Sequence, residues 1–124
     1  FRSEEWERDH DLVVMRYAEV LLMQAECYVR LNQPEKARPF LEQIRSRAGI
    51  TGTPETITLQ TIEDELKKEF VFEDHRRTDM IRFGTFFTGT WWEKNEITPA
   101  YKGIFPIPAL EMQKNNKLQQ NPGY

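Results

Sequence analysis

Cysteine and histidine are nearly missing from this chain: Cys27 stands alone, and His10 and His75 are the only imidazoles in 124 residues. One thiol permits no internal disulfide, and a lone cysteine on an amphipathic helix reads as a small buried hydrophobe before it reads as a nucleophile. His75 and Asp79 stand four apart, but no third ligand is spaced near them, so a metal site is not expected. No glycine-rich phosphate loop and no serine in a glycine-flanked elbow occurs. Charge of one sign is also scarce. The chain carries 17 basic and 20 acidic residues, a net charge of −3, which gives nucleic acid no broad field to bind. The longest apolar stretch, Leu12 to Leu31, is cut by Arg16, Glu19, Gln24, Glu26 and Arg30 and cannot lie unpaired in a bilayer. Strand-like alternation is absent too. The chain starts at Phe1 without an initiator Met or a leader pattern, and the expectation is a piece of a longer protein that forms one helical domain over 1–124.

What is present is helical periodicity. From Asp11 to Leu31, Val14, Tyr17, Ala18, Leu21, Leu22, Ala25 and Tyr28 recur at spacings of three and four, predicting an apolar stripe on a helix about 30 Å long. Asn32-Gln33-Pro34 breaks it. A second helix is expected from Pro34 to Ala48, with Ala37, Phe40, Leu41, Ile44 and Ala48 inward and Gly49 closing in the left-handed conformation. Pro39 predicts a kink or an irregular start. After a polar loop, Thr51 to Thr58, the pair Thr61 and Asp64 resembles a helix-start box, and Ile62, Leu66 and Phe70 carry a third helix toward Asp74. His75 to Phe83 reads as a further helix anchored by Met80, Ile81 and Phe83 and stopped by Gly84. Residues 88–102 show neither period, so a long irregular aromatic loop is expected. Phe105-Pro106-Ile107-Pro108 is held extended by its prolines, with a short helix after it and a turn at Asn121-Pro122-Gly123-Tyr124. The fold class is mainly α.

The first two predicted helices make a hairpin close to one tetratricopeptide unit of about 34 residues. Small Ala25 and Ala37 let the backbones approach, while Tyr28 and Leu41 fill the space beside the crossing. One unit cannot bury both its faces, so it must stack on another element.

Glu65, Glu69 and Glu73 recur at steps of four, with Arg76, Arg77 and Arg82 following. The sharp reading makes Glu69 and Glu73 the acid and base of a glycosidase. Guanidinium groups close by hold carboxylates ionised, whereas a general acid needs a protonated one. The reading favoured is therefore a structural charge network of Glu69, Glu73, Arg76, Arg77, Asp79 and Arg82 that fixes helices through bidentate pairs, with no catalytic residue.

These residues also carry a resemblance. The segments Arg16-Tyr17-Ala18-Glu19-Val20-Leu21-Leu22-Met23, Ile44-Arg45-Ser46-Arg47-Ala48-Gly49, Glu69 to Gly84 and the closing Phe105-Pro106-Ile107-Pro108 and Gln120-Asn121-Pro122-Gly123-Tyr124 resemble, in order, the motifs of the SusD/RagB family. Asp74 stands where that family commonly has Gly, and Thr78 where an aromatic is usual. The resemblance implies a mainly helical fold built on tetratricopeptide units. It implies a Bacteroidetes outer-membrane lipoprotein, anchored on the external face by a lipid on an upstream cysteine, that captures glycans or other nutrients for a SusC-like TonB-dependent transporter. It implies a binder with no cofactor. A tetratricopeptide adaptor that grips a peptide is the alternative class.

For a glycan, the candidate contacts are Trp91, Trp92 and Tyr101, because an exposed ring covers the apolar face of a sugar at small entropic cost. The competing reading has the same rings packing the loop onto the helices. Lys94 and Asn95 could supply hydrogen bonds, but nothing in the sequence selects them.

Overall fold

The computed structural model describes residues 13–124, so His10 and the first residues of the predicted first helix lie outside it. The chain divides into two compact units, Phe1–Glu69 and Phe70–Tyr124. The elements are α1 (Tyr17–Arg30), α2 (Pro34–Arg47), α3 (Leu59–Glu69), α4 (Arg76–Phe83), α5 (Thr85–Thr88), a 3-10 turn (Ala100–Gly103) and α6 (Ala109–Lys114). Among the described residues there is no strand, only an isolated bridge between Trp91 and Lys94.

In the first unit α1 and α2 form the expected hairpin, and α3 packs on α1. Ala25 and Ala37 are both fully buried, as the close approach of two helices needs, and Leu21, Leu22, Leu41, Ile44, Ile62 and Leu66 complete the core. Tyr28 and Phe40 stack beside it with centroids 5.9 Å apart. Helix α1 is shorter than predicted, about 21 Å at 1.5 Å per residue. It starts at Tyr17 because Arg16 is extended, with φ −117° and ψ 154°. Val14 and Tyr17 therefore leave the predicted stripe and stand 82% and 72% exposed. Cys27 is exposed as well, contrary to the expectation of burial. It lies roughly 140° and 200° around the helix from Leu22 and Ala25, on the outer face.

Both helices of the hairpin end in Schellman closures. Gln33 N–H reaches the Tyr28 carbonyl at 2.8 Å with Asn32 at φ 57°, and Ile50 N–H reaches Arg45 at 2.8 Å with Gly49 at φ 74°. Helix α2 continues through Pro39, which stands exposed, and ends one residue before the expected Ala48.

Helix α3 begins earlier than predicted. The Thr61 N–H donates to Thr58 Oγ1 at 3.2 Å and the Thr58 N–H to Thr61 Oγ1 at 3.1 Å. This is a reciprocal box one turn before the Thr61–Asp64 pair, with buried Ile57 and Ile62 at the positions of a hydrophobic staple. The helix then stops at Glu69 instead of running to Asp74. Phe72 and Asp74 adopt φ 64° and 60° in the turn that follows, so Glu73 does not continue the helical row of Glu65 and Glu69. Asp tolerates the left-handed region better than most side chains, which is how it occupies a place where glycine is common in the family.

In the second unit α4 is one residue shorter than predicted, with His75 as its cap and Gly84 closing it at φ 81°. Of the three expected anchors, Met80 is buried while Ile81 and Phe83 are half-buried. Neither α5 nor the 3-10 turn carries a sequence period, because each is a single turn. Helix α6 starts after Pro108 as expected.

Thr58→Ala is expected to lower stability by about 1 kcal/mol in chemical denaturation, while Asp64→Ala stays within about 0.5 kcal/mol. The reverse ranking would place the box at Thr61. Cys27 in the folded protein should react with an aromatic disulfide reagent at a rate close to that of the denatured chain; strong protection would contradict its exposure.

Candidate functional site

The charged residues separate into local tasks once their partners are seen. Glu69 is nearly buried and takes its guanidinium groups from far along the chain. Arg16 Nη1 donates to its Oε1 at 2.7 Å, and Arg47 Nη2 donates to both oxygens at 2.8 and 2.7 Å. Arg16 Nη2 also bonds the Glu69 carbonyl at 2.9 Å, holding the last turn of α3. Glu65 receives Arg45 at 2.5 Å and Lys68 at 3.3 Å, and Arg45 Nε closes the loop after α2 on the Gly52 carbonyl at 2.7 Å. A carboxylate whose two oxygens both accept from guanidinium is committed to its partners, so Glu69 is built as a brace. Asp79 is buried and accepts from Arg82 Nη2 at 2.8 Å, while His75 stacks on buried Phe70 at 4.5 Å between centroids. Arg16 and Arg47 were not singled out by the sequence pattern, since nothing local marks a partner 53 or 22 residues away.

Arg77 does something different. Its guanidinium lies 4.0 Å from the centroid of Phe105 and 5.2 Å from that of Phe86, and its Nη2 donates to the Lys102 and Gly103 carbonyls at 2.8 and 3.3 Å. A planar cation can stack on rings and donate in its own plane at once, which an ammonium cannot. One side chain of α4 thereby fixes the 3-10 turn and the extended segment after it. The closeness is strict: a Cβ added at Gly103 would fall 2.8 Å from the Phe87 ring.

The C-terminal residues clasp the same segment. The Gln120 amide donates to the Ile107 carbonyl at 2.9 Å and accepts from the Ile107 N–H at 2.8 Å, copying the pairing of a neighbouring strand. Asn121 Nδ2 bonds the Phe105 carbonyl at 2.7 Å, and the Tyr124 hydroxyl donates to Ile104 at 2.8 Å. Tyr124 meets Tyr101 edge to face at 5.0 Å. Gly123 permits this, for at φ 99° any Cβ there would lie 2.5 Å from the Tyr101 ring. The prolines of Phe105-Pro106-Ile107-Pro108 offer no N–H, so the segment is gripped through its carbonyls and the Ile107 N–H.

On this frame rests the aromatic loop. Trp91 and Lys94 exchange backbone hydrogen bonds of 3.0 and 2.8 Å, closing a tight turn with Trp92 and Glu93 at its tip. The Thr98 N–H bonds the Phe87 carbonyl at 2.9 Å and ties the loop to α5. Between them opens a cleft of about 490 Å³ whose lining includes Phe86, Trp91, Lys94, Glu96, Thr98 and Lys102. The three candidate aromatics are placed differently. Trp91 lines the cleft and is 51% exposed, Trp92 is 90% exposed outside its lining, and Tyr101, 36% exposed, faces Tyr124. Phe86 and Lys102 were invisible as cleft residues because α5 and the 3-10 turn that carry them have no sequence period.

The comparisons with known proteins agree with this architecture. The SusD family matches residues 2–124. The starch-binding protein SusD of Bacteroides thetaiotaomicron is 33% identical over 123 residues, 94% of this chain and 22% of that protein. The surface glycan-binding protein A of the same organism superposes with a TM-score of 0.76 at 31% identity, covering 90% of this chain and 24% of that one. A SusD-like protein of Bacteroides fragilis gives 0.71 at 26% identity, covering 91% and 26%. This chain thus spans about a quarter of the length of these relatives.

Gly123→Ala is expected to cost about 1–3 kcal/mol and to change the tyrosine circular dichroism, since it both strains the backbone and displaces Tyr101. Glu69→Gln should cost about 1–3 kcal/mol in denaturant melts, less than a fully buried pair because Arg47 is largely exposed. An unchanged midpoint would remove Glu69 from its place as a brace.

Proposed function

The chain belongs to the SusD family, and from that premise we propose that it is part of a cell-surface protein that binds oligosaccharides or polysaccharides without cleaving them. The printed names of its relatives, a starch-binding protein and a surface glycan-binding protein, support glycan as the ligand class. The observation that carries the reading to particular residues is the cleft beside Trp91. An indole half open to solvent, with ammonium, carboxylate and hydroxyl groups around it, offers one flat apolar face and several hydrogen-bonding groups, the combination a sugar ring requires. The frame beneath it is rigid. Arg77 and the C-terminal clasp hold the 3-10 turn in place before any ligand arrives, which lowers the entropic cost of binding.

Within this proposal the parent chain is held at the external face of the outer membrane by an upstream lipid anchor and hands its ligand to a SusC-like TonB-dependent transporter. Among the described residues no helix is long and apolar enough to cross a membrane. Glu69 gives a hydrolytic role no support, because its oxygens are engaged by Arg16 and Arg47.

Against a panel of soluble polysaccharides in affinity electrophoresis, the full chain should be retarded by at least one class while releasing no reducing sugar. Trp91→Ala should weaken that retardation about tenfold, in the range of base or ring stacking on an aromatic side chain, and Trp92→Ala should act less. Equal and undiminished binding by both folded variants would remove the cleft from the site.

A further inference from the structure

The cleft beside Trp91 holds two cations that the protein itself does not neutralise. Lys94 is half-buried, its ammonium donates to the Gly89 carbonyl, and it sits 4.6 Å from the centroid of the Trp91 ring. Among the described residues no carboxylate lies within ion-pair distance of it. Lys102 lines the same cleft, and its side chain makes no hydrogen bond or ion pair among the described residues, although its backbone is fixed by Arg77. Four arginines are spent on the fold: Arg16, Arg45, Arg47 and Arg82 each face a carboxylate within 2.8 Å. With a net charge of −3 overall, two unmatched ammonium groups in one cleft are not the by-product of a basic surface.

Sugar hydroxyls donate as well as accept, so a cleft shaped for a neutral sugar sets acceptors among its donors. Here the donors predominate. An ammonium only donates, Lys94 keeps N–H capacity beyond its bond to Gly89, and Lys102 keeps all of its own. Glu96 is the one carboxylate in the lining and stands without an ion pair among the described residues. It can accept from a hydroxyl, and it opposes an anionic group placed beside it, which limits the preference the two ammonium groups create. We infer that the cleft takes a saccharide bearing a negative group, a carboxylate or a sulfate ester, seated between Lys94 and Lys102 with its ring on Trp91. This rests on the cleft being a glycan site and names the class of glycan.

The test compares probes that differ in charge alone. Oligogalacturonate and its methyl ester are titrated into the full chain by calorimetry at low and at physiological salt, with a sulfated galactan oligosaccharide and its desulfated form as a second pair. The acidic partner of at least one pair should bind more tightly, and which pair does so separates carboxylate from sulfate. Lys102→Gln, whose side chain supports nothing else in the fold, should lower that affinity about three- to fivefold and lower that of the neutral partner less, so that the preference for the acidic partner shrinks. Glu96→Gln should raise it by a similar factor, and added salt should shrink the difference. Neutral and acidic partners binding alike, in a Trp91-dependent manner, would overturn the charge inference while leaving glycan binding intact. No binding of any of the four by a chain that still binds another, neutral glycan through Trp91 would overturn it as well, and loss of all Trp91-dependent binding would overturn both readings.

Discussion

Arg77 is the side chain on which the second unit depends. Two aromatic rings, Phe86 from the short α5 and Phe105 from the extended tail, come within about 5 Å of one guanidinium, and the same group closes the two carbonyls of the 3-10 turn between them. The stretch 89–108, with one 3-10 turn and no sheet, has few backbone hydrogen bonds of its own to fix its path. Side chains must supply them, and Arg77, Gln120, Asn121 and Tyr124 do so with six hydrogen bonds to main-chain groups of residues 102–107. The cleft inherits its shape from this arrangement, because Lys102 both lines the cleft and is the point where Arg77 takes hold.

The first unit solves the opposite problem. Its helices satisfy their own backbones, and what must be fixed is how their ends meet. Glu69 and Glu65 at the end of α3 draw in Arg16, Arg45 and Arg47, so the entry to α1, the end of α2 and the end of α3 are joined by charge-assisted bonds beside a small apolar core. Glu69, one of the two glutamates of the glycosidase reading, has both its oxygens taken by guanidinium groups here.

Membership of the SusD family brings these two solutions under one account. Its closing motif is explained residue by residue: Gln120 pairs with Ile107, Asn121 with Phe105, Gly123 admits Tyr101, and Tyr124 reaches Ile104. Asp74 departs from the family's usual glycine yet takes the left-handed conformation that a glycine would.

The sequence by itself determined the helical class, the hairpin of α1 and α2, its crossing at Ala25 and Ala37, and the glycine closures at Gly49 and Gly84. Each of these is written in spacings of three or four, or in a residue whose own backbone preference sets the outcome. It misplaced the start of α1 and of α3 and the burial of Val14, Tyr17 and Cys27, because a periodic stripe does not say where its packing partner ends. It marked Trp91, Trp92 and Tyr101 together, since all three are aromatic residues in one polar stretch. Only the tertiary structure separated them, turning Trp91 to the cleft and Tyr101 to Tyr124, and only it joined Arg16 to Glu69 and Arg77 to Lys102. Those pairings are bonds between residues 25 to 53 apart, and no local preference encodes a partner at that distance.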